Sequence, residues 1–142
     1  MPIPGVVFGR AKTAHEDQRR VLYSVFCGDI GGGFSIAHLK MFVFKNDSTA
    51  AKHYHPFGEL FFLVQTEAQF DLVDVDNPAE TATYLLQPLE FLLVPRRVAH
   101  RIHYSAGAVV IAGNSAPYVS PEHDDFQWDF GGFRAKEQFH SQ

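Results

Sequence analysis

The stretch His53-Tyr54-His55-Pro56-Phe57-Gly58-Glu59 offers three potential metal ligands within seven residues. Imidazole nitrogen suits zinc, copper, iron and nickel, and a carboxylate widens the choice to manganese. In an extended chain successive side chains alternate faces, so His53 and His55 project to one side. Glu59 keeps the same parity, although Pro56 and Gly58 bend the backbone between them. Chemistry of this kind needs a rigid enclosure and a fourth ligand from elsewhere in the chain.

The elements that could supply both are strands. Val21 to Cys27 is rich in β-branched and aromatic residues, and Gly28 to Gly33 follows it as a turn cluster. Phe34 to Phe44 reads as a second strand and Lys45 to Thr49 as a polar loop. Leu60 to Val64 is an apolar run of buried-strand length. Gln69 to Val75 alternates cleanly, and Thr81–Leu86, Glu90–Val94, His100–Tyr104 and Ala108–Ala112 complete a set of about eight short strands. Turn residues recur between them and no helical period is strong, so the fold expected is all-β, a barrel or sandwich. Val6 to Phe8 is a further short strand in an otherwise mixed entry segment. From Asn114 the tail changes character: Pro117, Pro121 and the acidic group Glu122, Asp124 and Asp125 read as a surface loop. Trp128, Phe130 and Phe133 are expected to pack on the barrel or on a partner.

A chain of 142 residues is most simply one domain, 1–142, with a barrel core over about 20–113 and a tail over 114–142. The net charge of −4 argues against a broad basic surface for nucleic acid. Cys27 is the lone cysteine, so no internal disulfide forms, which fits a reducing compartment. No apolar run approaches the roughly 20 residues that span a bilayer, and a cytoplasmic location is expected. Fourteen phenylalanines among the 142 residues must fill a core, line a pocket or cover a subunit interface, and a homodimer is expected.

His53-x-His55-x-x-x-Glu59 before an apolar strand resembles the first motif of the cupin superfamily. Pro95-x-x-x-x-His100, about forty residues later, resembles the second. The resemblance implies a double-stranded β-helix, or jelly-roll, barrel. It also implies one divalent metal held by His53, His55, Glu59 and His100, with Fe2+ favoured and Mn2+, Zn2+ or Ni2+ possible. Three neutral imidazoles and one carboxylate would leave two neighbouring coordination positions open for dioxygen or a bidentate substrate. Glycines usual in the family are missing here: Thr66, Leu89 and Arg97 stand in their places, and Tyr104 replaces a terminal asparagine.

Other residues flank this set. If His100 points inward, alternation sends Ile102 and Tyr104 inward and Arg101 and His103 out, which makes Tyr104 a candidate catalytic hydroxyl. His38 and Lys40 share one face of their strand, where His38 could shuttle protons. The cost of burying an unpaired lysine nevertheless favours the Ala37, Leu39, Met41 face as the core. Phe57 and Phe61 suit an apolar part of a substrate, and Arg96 could grip a carboxylate. The expected function is a metal-dependent enzyme on a small organic substrate, with a dioxygenase leading. The alternatives are an isomerase, lyase or cyclase of a small carbonyl compound, or a non-catalytic small-molecule-binding barrel.

Overall fold

The structure is a computed structural model that describes residues 3–25 and 33–141. Cys27, the end of the expected Val21–Cys27 strand and the turn cluster as far as Gly32 lie outside the described residues. Among those residues thirteen strands and one short helix follow in order. They are β1 (Val7–Arg10), β2 (Lys12–Glu16), β3 (Val21–Ser24), β4 (His38–Val43), β5 (Ser48–Tyr54), β6 (Glu59–Gln65) and β7 (Ala68–Asp74). Then come β8 (Thr81–Leu86), β9 (Glu90–Val94), β10 (Val98–Tyr104), β11 (Val109–Asn114), α1 (Pro121–Asp124), β12 (Phe126–Gln127) and β13 (Glu137–His140). No helix among the described residues is long and apolar enough to cross a membrane.

Two sheets face each other, ordered β1-β9-β6-β11-β4 and β12-β5-β10-β7-β8-β13, with β2 and β3 as a separate hairpin. Every pairing is antiparallel except that of β13 with β8. Alternation along each strand sends one set of side chains between the sheets. Leu63, Phe70, Leu72, Leu86, Leu92 and Val110 meet there, all fully buried. The sheets are therefore wider than eight strands. β1 adds an edge to one sheet, and the tail contributes β12 and β13 to the other, with Trp128, Phe130 and Phe133 packed on the barrel's own outer face.

Three residues standing where glycine is usual adopt the left-handed backbone that glycine tolerates best. Thr66, Leu89 and Arg97 have φ of 74°, 75° and 60°. Ala51 and Lys52 in β5 share that region at 75° and 64°, where the register with β10 slips by one residue between His100 and Arg101. This bulge sits immediately before His53.

One expectation about facing is overturned. On β4 it is His38, Lys40 and Phe42 that turn inward, while Leu39, Met41 and Val43 stand 64%, 63% and 61% exposed. Burying Lys40 is tolerable because it is not unpaired: its Nζ lies 2.8 Å from Glu59 Oε2, which reaches it from β6 across β11.

Candidate functional site

The site assembles from both sheets. His53 ends β5, His55 follows it, Glu59 opens β6, His100 lies on β10, and β4 brings His38 and Lys40 across from β6 through β11. In the ladder His100 is the direct partner of His53, which is why two distant stretches of sequence meet. The ring centroids of His53 and His55 are 4.5 Å apart, those of His53 and His100 4.8 Å, and those of His55 and His100 5.2 Å. Glu59 Oε1 faces His55 Nε2 at 3.3 Å and His100 Nε2 at 3.8 Å.

These residues border a cavity of about 360 Å³ with two unlike ends. Phe42, Phe44, Phe61, Ile102 and Tyr104 supply apolar wall, and His38, Lys40, the three histidines and Glu59 supply the polar part. Alternation on β10 places His100, Ile102 and Tyr104 inward as expected, with Arg101 and His103 outward on Asp71. Tyr104 stands four residues beyond His100, about 13 Å along the strand. It stacks on Phe44 at 3.8 Å, and burial raises its hydroxyl well above the ordinary tyrosine range.

Two expected contacts lie elsewhere. Phe57 is buried and stacks on the back of His55 at 4.8 Å without lining the cavity. Arg96 is exposed and borders a separate groove with Phe57 and Pro95, because Pro95 opens the loop that carries it over the outer surface. Phe61 does line the histidine cavity.

The tail, whose acidic group reads as a surface loop, instead contributes to the site. Ser120 caps α1, and the buried Asp124 carboxylate accepts the N–H groups of Val119 and Ser120, fixing this turn against the barrel. The Asp124 carbonyl then accepts His55 Nδ1 at 2.9 Å. Asp125 reaches the cavity, with Oδ2 3.8 Å from His53 Nδ1 and Oδ1 3.2 Å from His55 Nδ1. The Tyr118 hydroxyl donates to Asp125 Oδ2 at 3.0 Å, and its ring also lines the cavity. The acidic tail after Pro121 was the signal available, but nothing local says which wall of the barrel it meets.

Charge is sharply graded across this cluster. Burial would raise Glu59, but the hydrogen bond from His55 and the charges of His100 and Lys40 outweigh it and hold its carboxyl down at about 2. Burial lowers His100 to about 3, so its ring is neutral at ordinary pH. His53 is lowered by burial and by His55 beside it, against the opposing pull of Asp125. His55 moves upward: burial would lower it, but Glu59 and the Asp124 carbonyl prevail. The cavity thus pairs neutral imidazoles with an ion pair, an arrangement suited to moving protons.

The same donors fit a divalent cation. One ring nitrogen from each of His53, His55 and His100 lies within 4.8 Å of the others. His55 Nδ1 donates to the Asp124 carbonyl, and His100 Nδ1 to the Val98 carbonyl at 3.3 Å, so both rings turn Nε2 toward Glu59. Such outer hydrogen bonds orient ligating histidines.

No protein-family model matches the chain, and no curated protein matches it. Solved structures do resemble it. The sugar 3,4-ketoisomerase from Thermoanaerobacterium thermosaccharolyticum, crystallised with TDP-4-keto-6-deoxyglucose, superposes with a TM-score of 0.70 at 17% identity, covering 92% of this chain and 91% of that one. The TDP-quinovose 3,4-ketoisomerase from Campylobacter jejuni gives 0.73 at 15% identity, covering 92% and 98%. The dTDP-4-dehydrorhamnose 3,5-epimerase from Bacillus anthracis gives 0.71 at 18%, covering 84% and 76%. The likeness shows the fold: a jelly-roll barrel of the cupin type.

Proposed function

We propose that this barrel isomerises a small α-hydroxy ketone, exchanging carbonyl and hydroxyl between adjacent carbons, with a nucleotide-linked deoxysugar as the substrate class. The observation that carries it is the pairing of His53 with Asp125 at the polar part of the cavity. An imidazole lowered toward neutrality, with a carboxylate near its Nδ1 and its ring on the cavity, suits the role of general base. The solved structures compared above are isomerases and an epimerase, which supports this reading over the dioxygenase expectation.

The chemistry balances without an oxidant. His53 takes the proton from the hydroxyl-bearing carbon, and the electron pair of that C–H bond moves into an enediolate. Asp125 stabilises the imidazolium and the Lys40 ammonium stabilises the oxygen that gains charge. The hydroxyl proton crosses to the former carbonyl oxygen, and His53 returns its proton to the neighbouring carbon. The apolar wall of Phe42, Phe44 and Phe61 faces the deoxygenated part of the sugar.

Proton NMR of TDP-4-keto-6-deoxyglucose in deuterium oxide tests this. The protein should wash deuterium into the carbon beside the ketone and form the isomeric ketone. Oxygen consumption with no deuterium incorporation would return the dioxygenase to the lead.

A second reading adds a divalent ion, favoured by the three clustered ring nitrogens. His53, His55 and His100 would hold it with Glu59, and when bound it supplies Lewis-acid stabilisation of an enolate oxygen. Elemental analysis of protein purified without chelator distinguishes the two, and iron, manganese, zinc or nickel at one per chain supports the metal form. The expected homodimer would cover the exposed apolar row Leu39, Met41 and Val43 on β4. Light scattering giving twice the chain mass, and the single mass for Met41→Lys, would support it.

A further inference from the structure

The wall beside the histidines carries buried polar atoms with no hydrogen-bond partner among the described residues. In the sheet register Asn114 of β11 stands between His38 of β4 and Glu59 of β6, so the three side chains form one row on the inner face. Asn114 is 0% exposed, and neither its Oδ1 nor its Nδ2 has a hydrogen-bond partner among the described residues. His38 Nδ1, also buried, is equally without one. An unpaired buried polar atom costs about 1–3 kcal/mol, and native structures keep few of them. Three such atoms on two facing side chains mark a place built for a polar guest.

Position and chemistry narrow that guest. His38 and Glu59 both line the cavity, so the row borders the ligand space. Directly opposed side chains on antiparallel strands have Cβ atoms about 4.5–5.5 Å apart, which lets one atom lie within reach of both His38 and Asn114. An amide offers a donor and an acceptor together. A carbonyl oxygen could satisfy only the donor, and an ammonium only the acceptors. A carboxylate or phosphate would sit against Glu59. A hydroxyl satisfies the row: its two lone pairs take the Asn114 N–H and, in the tautomer protonated there, the His38 Nδ1–H, and its proton goes to Asn114 Oδ1.

We propose that Asn114 and His38 form the subsite for the hydroxyl adjacent to the ligand's carbonyl. This deepens the isomerase reading and rests on it for the identity of the ligand. Lys40 lies two residues from His38 on the same inward face of β4. A hydroxy ketone therefore lies with its hydroxyl on Asn114 and its carbonyl toward the ammonium, and this orientation selects which neighbouring carbon gives up its hydrogen. Half-buried His38 is the least covered member of the row and the one able to turn aside to admit the guest.

Calorimetric titration with TDP-4-keto-6-deoxyglucose and with its analogue lacking the hydroxyl beside the ketone tests the subsite. In the wild type, loss of that hydroxyl should weaken binding about 10- to 100-fold. In Asn114→Leu and in His38→Leu the two ligands should bind within about threefold of each other. Asn114→Leu should melt no lower than the wild type, because it removes orphaned atoms rather than bonds. Discrimination retained in both variants, equal weakening of both ligands by each substitution, or a clear fall in melting temperature for Asn114→Leu would overturn the proposal. The last two results would assign the row to a resident water and to a purely structural role. If the wild type binds neither nucleotide sugar, the substrate class falls, and the subsite is judged by dihydroxyacetone alone. Saturable shifts of the Asn114 side-chain amide in the nitrogen-15 NMR spectrum support it, and their absence overturns it.

Discussion

Two carboxylates are buried to almost the same degree on opposite faces of this barrel, Glu59 at 3% exposure and Asp71 at 1%. Asp71 points outward from β7, and its oxygens are saturated. Arg101 grips Oδ2 through Nε at 3.0 Å and through a terminal nitrogen at 2.8 Å, and His103 Nε2 adds a third contact at 3.0 Å. Thr83 and Gln69 donate to Oδ1 at 2.9 Å and 3.2 Å. Phe130 and Phe133 from the tail lie against the Arg101 guanidinium at 5.0 Å and 5.4 Å. Glu59 points inward and has one tight partner, Lys40, with two imidazoles at longer range and a cavity in front. Around it His38, Asn114 and Asp125 each keep a polar atom without a hydrogen bond among the described residues. Burial alone does not mark a site. A fully bonded buried charge is structure, whereas a buried charge among under-bonded neighbours is poised to meet a ligand.

That contrast can be broken by experiment. At the inner end, His53→Ala should lower kcat for deuterium exchange by about 10²–10⁴-fold, with a melting temperature close to that of the wild type. At the outer end, Asp71→Asn should cost about 3 kcal/mol in urea denaturation, because it strands the Arg101 charge beneath the tail, while kcat of the folded fraction stays within about twofold. Exchanged outcomes, stability lost at His53 and turnover lost at Asp71, would undo the distinction.

The acid limb of stability should also belong to the inner end. His100 is lowered from 6.5 to about 3, so below pH 6.5 the unfolded chain binds a proton that the folded protein refuses. Its contribution is full above that pH and shrinks as pH falls to about 3. Glu59, lowered from 4.5 to about 2, adds a further loss over that lower interval. His55, raised instead, contributes most below 6.5 and loses its share as pH rises through its folded value. Urea midpoints measured against pH should fall from pH 6.5 to pH 3, and His100→Asn should flatten that slope. The smallest effect expected is for a site touching neither carboxylate. Thr66→Gly relieves a left-handed non-glycine residue and should stabilise by up to about 1 kcal/mol, read as a small rise in the urea midpoint.

Much of the inner end could be read from the chain because its signals are local. The His-x-His spacing, the parity of His100 with Ile102 and Tyr104, and the three missing glycines all describe backbone geometry within a few residues. What could not be read depends on partners far along the sequence. Lys40 looked unfit for a buried face because its partner Glu59 arrives from another strand. Asp125 reads as surface in the sequence because only the fold shows where the tail comes to rest, with the Tyr118 hydroxyl on its carboxylate. Asn114 carries no local signal, since the first residue of a tail does not show that it will extend β11 and have its amide shut in without a hydrogen bond among the described residues.

The bulge in β5 has an evolutionary consequence. Ala50 lies opposite the inward Ile102 and His53 opposite the inward His100, although three steps separate them along β5 and only two along β10. Strict alternation from Ala50 would turn Lys52 into the cavity and His53 out to solvent. The extra residue acts as a one-letter frame correction. Variation in this histidine-bearing wall is thus constrained in length as well as in identity. Loss of Lys52 would restore a flush ladder with His53 still facing in, whereas loss of a residue that leaves the bulge intact would shift the upstream half of the strand out of frame.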